Sequence, residues 1–195
     1  VAIEGQKETS QVIFGKSKRP ITVSVGSLQW QVIKRQDLIG IRLKDSANPA
    51  IEALEDIECF PVSMDWRIPA RFDRYHPHRQ IEIMNVLGQI TRQNSPGAVV
   101  FAMGTDEFRL DVTGSPDSKS FFIVFGDTTN GQETYQRGRF ITVDAPEGRG
   151  HLHIDFNKAY NPPCGFTDYA TCPTPPPQNR LPIRVEAGEK NPLEH

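Results

Sequence analysis

The chain has 195 residues and a formal net charge of −2, and its lysines and arginines are spread along the sequence rather than clustered. This charge balance argues against nucleic acid or an anionic membrane surface as the main partner. No apolar run approaches the roughly 20 residues needed to cross a bilayer. The length fits one domain with an added arm.

The N-terminal sequence VAIEGQKETS contains neither the basic nor the apolar stretch of a signal peptide. With no leader in view, the three cysteines are expected to be reduced thiols in the cytoplasm. Residues 193–195, LEH, are expected to be a remnant of a purification tag and are excluded from fold reasoning.

Alternation of apolar and polar residues dominates the chain and predicts a series of short β-strands. The predicted strands lie in ITVSV (21–25), LQWQV (28–32), IGIRL (39–43), VSMDWRI (62–68), QIEIMNVLGQI (80–90), AVVFAM (98–103), EFRLDV (107–112), KSFFIVFGD (119–127), RFITVDA (139–145) and HLHIDFN (151–157). Many short strands separated by Gly, Asn, Asp and Pro are typical of an antiparallel β-barrel or β-sandwich. The chain is therefore predicted to be all-β.

The segment NPAIEALEDIECF is the one helix signal in the sequence. Asn48 is suited to the N-cap, and Pro49 to the first helical position, where its missing N–H costs nothing. Apolar residues then recur at helical spacing. This pattern predicts one short helix over residues 49–57, followed by a core cysteine, Cys59.

The basic segment RYHPHRQ, residues 74–80, contains Pro77 and lacks the alternation of its neighbours. Because proline cannot donate a ladder hydrogen bond, this segment is expected to be an exposed loop between two strands. A phosphate-binding or metal-binding role for it is the less favoured interpretation.

From residue 161 to residue 182 the strand pattern ends, and seven prolines fall within 22 residues. Such a proline content excludes a helix or a central strand. Composition alone would also allow a disordered tail. The aromatic and cysteine residues instead favour an ordered strap packed on the sheet.

The block DFNKAYNPPCGFTDYATCPTPPPQNRLPIRVEAGEK closely resembles the signature of a bacterial and archaeal family, the domain-of-unknown-function family 1684. IGIRLKDSANPAI, FPVSMDWRIPARF and FGDTTNGQETYQRGRF are similar to other blocks of that family. The resemblance covers about residues 39–190 and implies that these blocks form one folded unit. We therefore predict a single β domain over residues 39–192. The resemblance also implies that residues 1–38 are a remnant of the N-terminal portion of longer members. It implies no activity, because none is assigned to the family.

The two cysteines of the strap could in principle bind a metal, form a disulfide or act as nucleophiles. Cys164 and Cys172 have seven residues between them, which does not match a zinc knuckle. A Cys₂His₂ set formed with His151 and His153 would have a ligand spacing that matches no common zinc module, so no metal is predicted. A disulfide would require an oxidising compartment, and a nucleophilic thiol would require a neighbouring base. Packing between prolines and rings is the favoured role.

Three segments bring polar and aromatic side chains to what should be neighbouring positions, namely the 127–139 turn, the strand 150–157 and the strap. We predict that they line a pocket for a small polar or anionic ligand held by Arg139. The predicted lining residues are Asp127, Thr129, Glu133, Tyr135, Arg139, Asp155, Asn157, Tyr160, Asn161, Cys164 and Cys172.

The alternative is a non-enzymatic structural or interaction domain. In that case Arg139 pairs with Asp127 or Asp155 only to fasten the strap. The common nucleotide-binding and hydrolase motifs are absent from the sequence. The sequence thus does not decide between catalysis and binding, and it identifies neither a cofactor nor an oligomeric state.

Overall fold

The structure is a computed structural model, and it describes residues 2–3, 21–35, 38–53, 56–146 and 150–192. The expected tag remnant therefore lies outside the described residues. The chain divides into two compact units, unit 1 (Val1–Asp56) and unit 2 (Ile57–His195). This boundary differs from the sequence-based division at residue 38, because residues 38–45 pair along their whole length with residues 28–35.

Unit 1 contains an antiparallel sheet with the strand order β1-β2-β3-β4. Its strands are β1 (Ala2–Ile3), β2 (Val23–Val25), β3 (Leu28–Arg35) and β4 (Leu38–Asp45). The β3–β4 hairpin pairs Leu28 with Asp45 at one end and Arg35 with Leu38 at the other. Alternating apolar and polar residues along this hairpin, several of them β-branched or aromatic, favour the extended backbone.

The helix α1 (Pro49–Ala53) follows β4 in unit 1. It starts as predicted, since Asn48 Oδ1 accepts a hydrogen bond from the Ala50 backbone N–H at 2.9 Å. The helix is shorter than predicted, because residues 56–58 are not helical. Cys59 lies in unit 2 and is exposed rather than in the core. Its backbone forms an isolated bridge with Glu189.

Unit 2 is built from long antiparallel strands that include a curled half-barrel sheet, so the prediction of an all-β chain is confirmed. Its strands are β5 (Arg67–Met84), β6 (Ile90–Met103), β7 (Asp106–Asp111), β8 (Ser120–Phe125), β9 (Arg139–Asp144) and β10 (His151–Asp155). Four 3₁₀ turns lie at Met64–Trp66, Phe156–Lys158, Pro163–Gly165 and Pro177–Asn179. The strand order is β10-β5-β6-β7 in one sheet, and β8 pairs with β9 in the other.

The core of unit 2 follows from the period of two in its strands. Phe72 on β5 alternates with exposed residues and stacks on Phe121 of β8 at a ring-centroid distance of 4.9 Å. Phe156, after β10, is fully buried and contacts Phe125 edge-on. Strand β8 is buried at Phe121, Ile123, Val124 and Phe125, as its run of apolar residues predicts.

The basic segment 74–80 is not a loop between strands but lies inside β5. The pairing of β5 with β6 shifts there from Arg74–Gly97 to Arg79–Ser95. Residues 75–78 of β5 therefore lie opposite the single residue Pro96 of β6. This irregularity accommodates Pro77, whose peptide bond to His76 is cis. Gly97 is required on the facing strand, because a Cβ there would lie 2.5 Å from the Asp73 carbonyl oxygen.

The strap, residues 161–182, is ordered against unit 2. The Thr174 N–H donates to the Met84 carbonyl at 2.7 Å, so the strap is attached at the end of β5. The Gly126 N–H donates to the Asn179 carbonyl at 3.0 Å, which attaches it at the end of β8. Within the described ranges, no helix is long and apolar enough to cross a membrane.

Candidate functional site

The residues predicted to line one pocket instead form separate hydrogen-bonded groups. The largest is centred on Arg139, the first residue of β9, whose side chain is completely buried. Its Nη2 atom donates to Asp127 Oδ2 at 2.9 Å, and the Asp127 side chain is also fully buried. The predicted partnership of Arg139 with Asp127 is therefore present.

Arg139 also binds the main chain of the C-terminal tail, residues 183–190. Nη2 donates to the Val185 carbonyl at 2.8 Å, and Nη1 donates to the Glu189 carbonyl at 3.2 Å. Nη1 also donates to the carbonyl of Ala187. The guanidinium thus holds three alternate carbonyls of an extended segment, and its five-donor fork suits this arrangement.

Asp127 is bonded on both carboxylate oxygens. Its Oδ1 atom accepts hydrogen bonds from the Thr129 backbone N–H at 2.8 Å and the Thr129 hydroxyl at 2.5 Å. The Val185 N–H reaches the same oxygen at 3.3 Å. The Thr129 hydroxyl lies 2.8 Å from that of Thr134. The turn therefore caps its own backbone while it supports the ion pair.

Burial lowers the pKa of Arg139 from its ordinary value, and the neighbouring carboxylate of Asp127 opposes this change. A guanidinium remains charged in either case. Two buried atoms, Arg139 Nε and Asn161 Oδ1, have no hydrogen-bond partner among the described residues. Each unsatisfied buried group costs about 1–3 kcal/mol, so the network is tight but not complete.

Asn161 joins the Arg139 group through the tail. Its backbone N–H donates to Glu189 Oε2 at 2.7 Å, and its side-chain Nδ2 donates to the Lys190 carbonyl at 2.7 Å. Glu189 is also the residue whose carbonyl accepts from Arg139. The first residue of the strap and the last residues of the tail are therefore fixed to each other.

A second group contains Tyr135 and the two strap cysteines. The Tyr135 hydroxyl donates to the Cys164 carbonyl at 2.9 Å, and the Cys164 N–H donates to the Cys172 sulfur at 3.1 Å. Burial, aided by the Cys164 side chain, raises the pKa of Cys172 to about 12. Burial also raises the pKa of Tyr135. Cys172 is therefore a protonated thiol near neutral pH and a poor nucleophile.

Asp155 and Asn157 form a third group. Asp155 Oδ1 accepts from Asn157 Nδ2 at 2.9 Å, and Asn157 exchanges two hydrogen bonds with the backbone of Ser63. These two residues therefore fix the segment before β5, and their hydrogen bonds do not go to Arg139.

Two predicted residues lie nearer the surface. Glu133 forms an ion pair with Arg184 in which both side chains are partly exposed. Tyr160 is 37% exposed, and its backbone bridges to Phe140. His151 and His153 are exposed on β10. In the parts of the chain that the structure describes, no group of three or more His, Cys, Asp or Glu residues could hold a metal ion.

Sequence reasoning missed Asn179, which is 1% exposed and attaches the strap. Its Nδ2 atom donates to the carbonyls of Asp111 and Val124, both at 2.9 Å, and its Oδ1 atom accepts from the Asp111 N–H at 2.7 Å. Asp111 ends β7 between two apolar residues, Leu110 and Val112. The Asp111 carboxylate binds Tyr75 and Gln178, whereas Asn179 binds the Asp111 backbone, so the sequence carries no direct signal for this contact.

The comparisons with known proteins assign the family. The family model described as "Protein of unknown function (DUF1684)" matches residues 52–190. The chain belongs to this family. A protein of Haloarcula marismortui from gene locus rrnAC0354, solved by solution NMR and described as uncharacterized, is 26% identical. The match covers 74% of this chain and 81% of that chain, with a TM-score of 0.60. No curated protein matches the sequence.

Proposed function

We propose that this member of the family is a non-enzymatic structural or interaction domain, in which the Arg139 network fastens the C-terminal tail. The burial of the Arg139–Asp127 pair carries this proposal, since both side chains are 0% exposed. Among the described residues, the guanidinium makes four hydrogen bonds, all to oxygen atoms of the protein itself. Its donors therefore serve the fold.

A pocket for a small polar or anionic ligand at the same residues remains the competing prediction. A ligand held by Arg139 would have to displace the carbonyls of Val185, Ala187 and Glu189. It would also have to replace the ion pair with Asp127, and separating a buried pair costs about 3–5 kcal/mol. This cost favours the structural role.

The cytoplasmic location is also part of the proposal. The thiols of Cys59, Cys164 and Cys172 are free, which suits a reducing compartment. Thiol titration of the purified protein in denaturant should therefore find all three groups reduced.

The substitution Arg139→Met tests the proposed role, because it keeps the apolar stem of the side chain and removes every donor. It leaves Asp127 buried without its partner, so we expect a loss of about 3–5 kcal/mol in unfolding free energy. Chemical denaturation measures this loss. Limited proteolysis should show earlier cleavage within the tail.

Arg184→Met is the matched control, because Arg184 lies on the same tail and pairs with Glu133 and Glu186 at the surface. We expect it to cost less than about 1 kcal/mol. The proposal fails if Arg139→Met folds with wild-type stability and instead loses thermal stabilisation by a small-molecule panel. That result would favour the ligand pocket.

A further inference from the structure

A cavity of about 590 Å³ opens beside the irregular segment of β5, away from the Arg139 network. It is lined by Asp73, Arg74, Tyr75, His76, Pro77, His78, Arg79 and Arg109. The lining thus contains three arginines and one aspartate. Its volume lies within the roughly 300–1,000 Å³ typical of small-molecule sites.

Arg109, on β7, already has its charge balanced. Its Nη1 atom lies 2.6 Å from Asp73 Oδ2, and its Nε atom lies 3.9 Å from Asp111 Oδ1. The hydrogen bond from Arg109 is the main reason that the pKa of Asp73 is lowered. The two carboxylates of this region are therefore directed at the same arginine.

Arg74 and Arg79 differ from Arg109 in their lack of an ion pair among the described residues. In the part of the chain that the structure describes, none of the ion pairs involves either residue. Arg79 instead lies over the Tyr75 ring at 4.1 Å from its centroid, and Arg74 lies over the Phe72 ring at 5.5 Å. Stacking restrains a guanidinium while its in-plane N–H donors stay available to an acceptor.

The ring beneath Arg79 is fixed in place. Tyr75 is 5% exposed, and its hydroxyl donates to Asp111 Oδ1 at 2.5 Å. Arg109 lies 5.2 Å from the centroid of the same ring. Burial and the bond to Asp111 raise the pKa of Tyr75, so it stays a neutral platform. The guanidiniums of Arg79 and Arg109 therefore both lie against one buried, hydrogen-bonded ring.

We propose that this cavity binds the phosphate group of a small molecule through Arg74 and Arg79, with His76 and His78 at its rim. Two guanidiniums that lie over aromatic rings, neither in an ion pair among the described residues, can bind separate oxygens of one tetrahedral dianion, whereas a carboxylate fills a single fork. A small ligand is favoured over nucleic acid, because the chain has a net charge of −2 and its basic residues form no long stripe.

Titration of the 195-residue chain with inorganic phosphate and with phenyl phosphate tests the proposal. Binding is measured by calorimetry and thermal unfolding at constant ionic strength, with chloride as the reference anion. We expect stabilisation by both phosphates. Arg79→Gln and Arg74→Gln should each weaken binding about tenfold, as the loss of one charge-assisted hydrogen bond predicts.

Arg92→Gln is the matched control, because Arg92 is an exposed arginine on β6 that pairs with Glu82 of β5 at 3.2 Å. It should bind phosphate as the wild type does. Arg79→Lys keeps the charge without the planar fork, so an intermediate affinity is expected. Each variant must also show the cooperative unfolding of the wild type, and Arg74→Gln provides a second test should Arg79→Gln fold poorly.

Three results would overturn the proposal. The first is equal stabilisation by phosphate and chloride at matched ionic strength. The second is a loss of phosphate binding in Arg92→Gln as large as in Arg79→Gln. The third is tighter binding of a single-stranded oligonucleotide than of phenyl phosphate, which would assign the surface to nucleic acid.

Discussion

Arginines in two regions of unit 2 show opposite uses of the same side chain. Arg139 is completely buried and donates to one carboxylate and to carbonyls of the tail. Arg74 and Arg79 rest on aromatic rings at the edge of an open cavity. The first guanidinium donates four hydrogen bonds to the protein, and only its Nε atom lacks a partner among the described residues. The other two take part in none of the ion pairs in the described part of the chain.

This difference separates a structural role from a binding role. A buried charge must be matched by fixed partners, and removing one partner exposes the full cost of burial. A charge at an open surface costs little to leave unpaired, so it remains available to a ligand. Burial and the number of protein acceptors, rather than residue type, decide which arginine acts on other molecules.

A loss as large as that of Arg139→Met is expected from Gly188→Ala, which tests whether the tail must keep its backbone path to hold Arg139. Gly188 has a φ of +75°, and a Cβ there would lie 2.5 Å from the Ala159 carbonyl oxygen. Left-handed strain and overpacking together should cost about 4 kcal/mol in chemical denaturation.

Gly131→Ala is the control for Gly188→Ala, because Gly131 has a φ of +79° with its nearest neighbour 3.7 Å away. This substitution should lower the unfolding free energy only by the cost of backbone strain, about 1–2 kcal/mol. Equal losses in the two variants would mean that the tail can shift without disturbing the Arg139 network.

A smaller effect is expected from Asn179→Ala, which tests whether a neutral amide fastens the strap as Arg139 fastens the tail. The change leaves the Asp111 N–H and the carbonyls of Asp111 and Val124 without partners. We expect a loss of about 3 kcal/mol in unfolding free energy. Gln178→Ala, which removes one bond of 3.2 Å to Asp111 at the surface, should cost less than about 1 kcal/mol.

The smallest effect concerns thiol reactivity rather than stability. It compares the buried Cys172 with the exposed Cys59. The pKa of Cys172 is raised to about 12, so its thiolate fraction stays small as the pH rises from 7 to 10. Alkylation by iodoacetamide, followed by mass spectrometry, should be at least about tenfold slower at Cys172 than at the exposed Cys59. Comparable rates at pH 8 would show that Cys172 is accessible and activated.

Much of the fold could be predicted from the sequence because apolar alternation reports directly on which face of a strand is buried. Strand β8 and the N-cap of α1 at Asn48 follow from local pattern alone. The placement of Cys59 could not be predicted from local pattern, because its backbone bridges to Glu189, which is distant in sequence. Segment 74–80 was misread as a loop because a strand can carry Pro77 where its pairing is interrupted.

The candidate site was predictable only in part. The Arg139–Asp127 pair was anticipated, since both residues flank one turn. Its acceptors in the tail could not be inferred, because they are main-chain carbonyls and carry no sequence signal. Asp155 is not bonded to Arg139 but to Asn157, and Asn157 binds the backbone of Ser63. Ser63 is 94 residues away from Asn157 in sequence, so this group could not be inferred from local pattern.

Gly97 limits how the cavity on β5 could be re-engineered. It faces Arg74 across the ladder, and its missing side chain lets the Phe72 ring and the Asp73 backbone approach closely. Any larger residue at this position would alter the wall of the cavity and the core together. Attempts to change ligand preference should therefore vary the exposed His76 and His78 and keep Gly97.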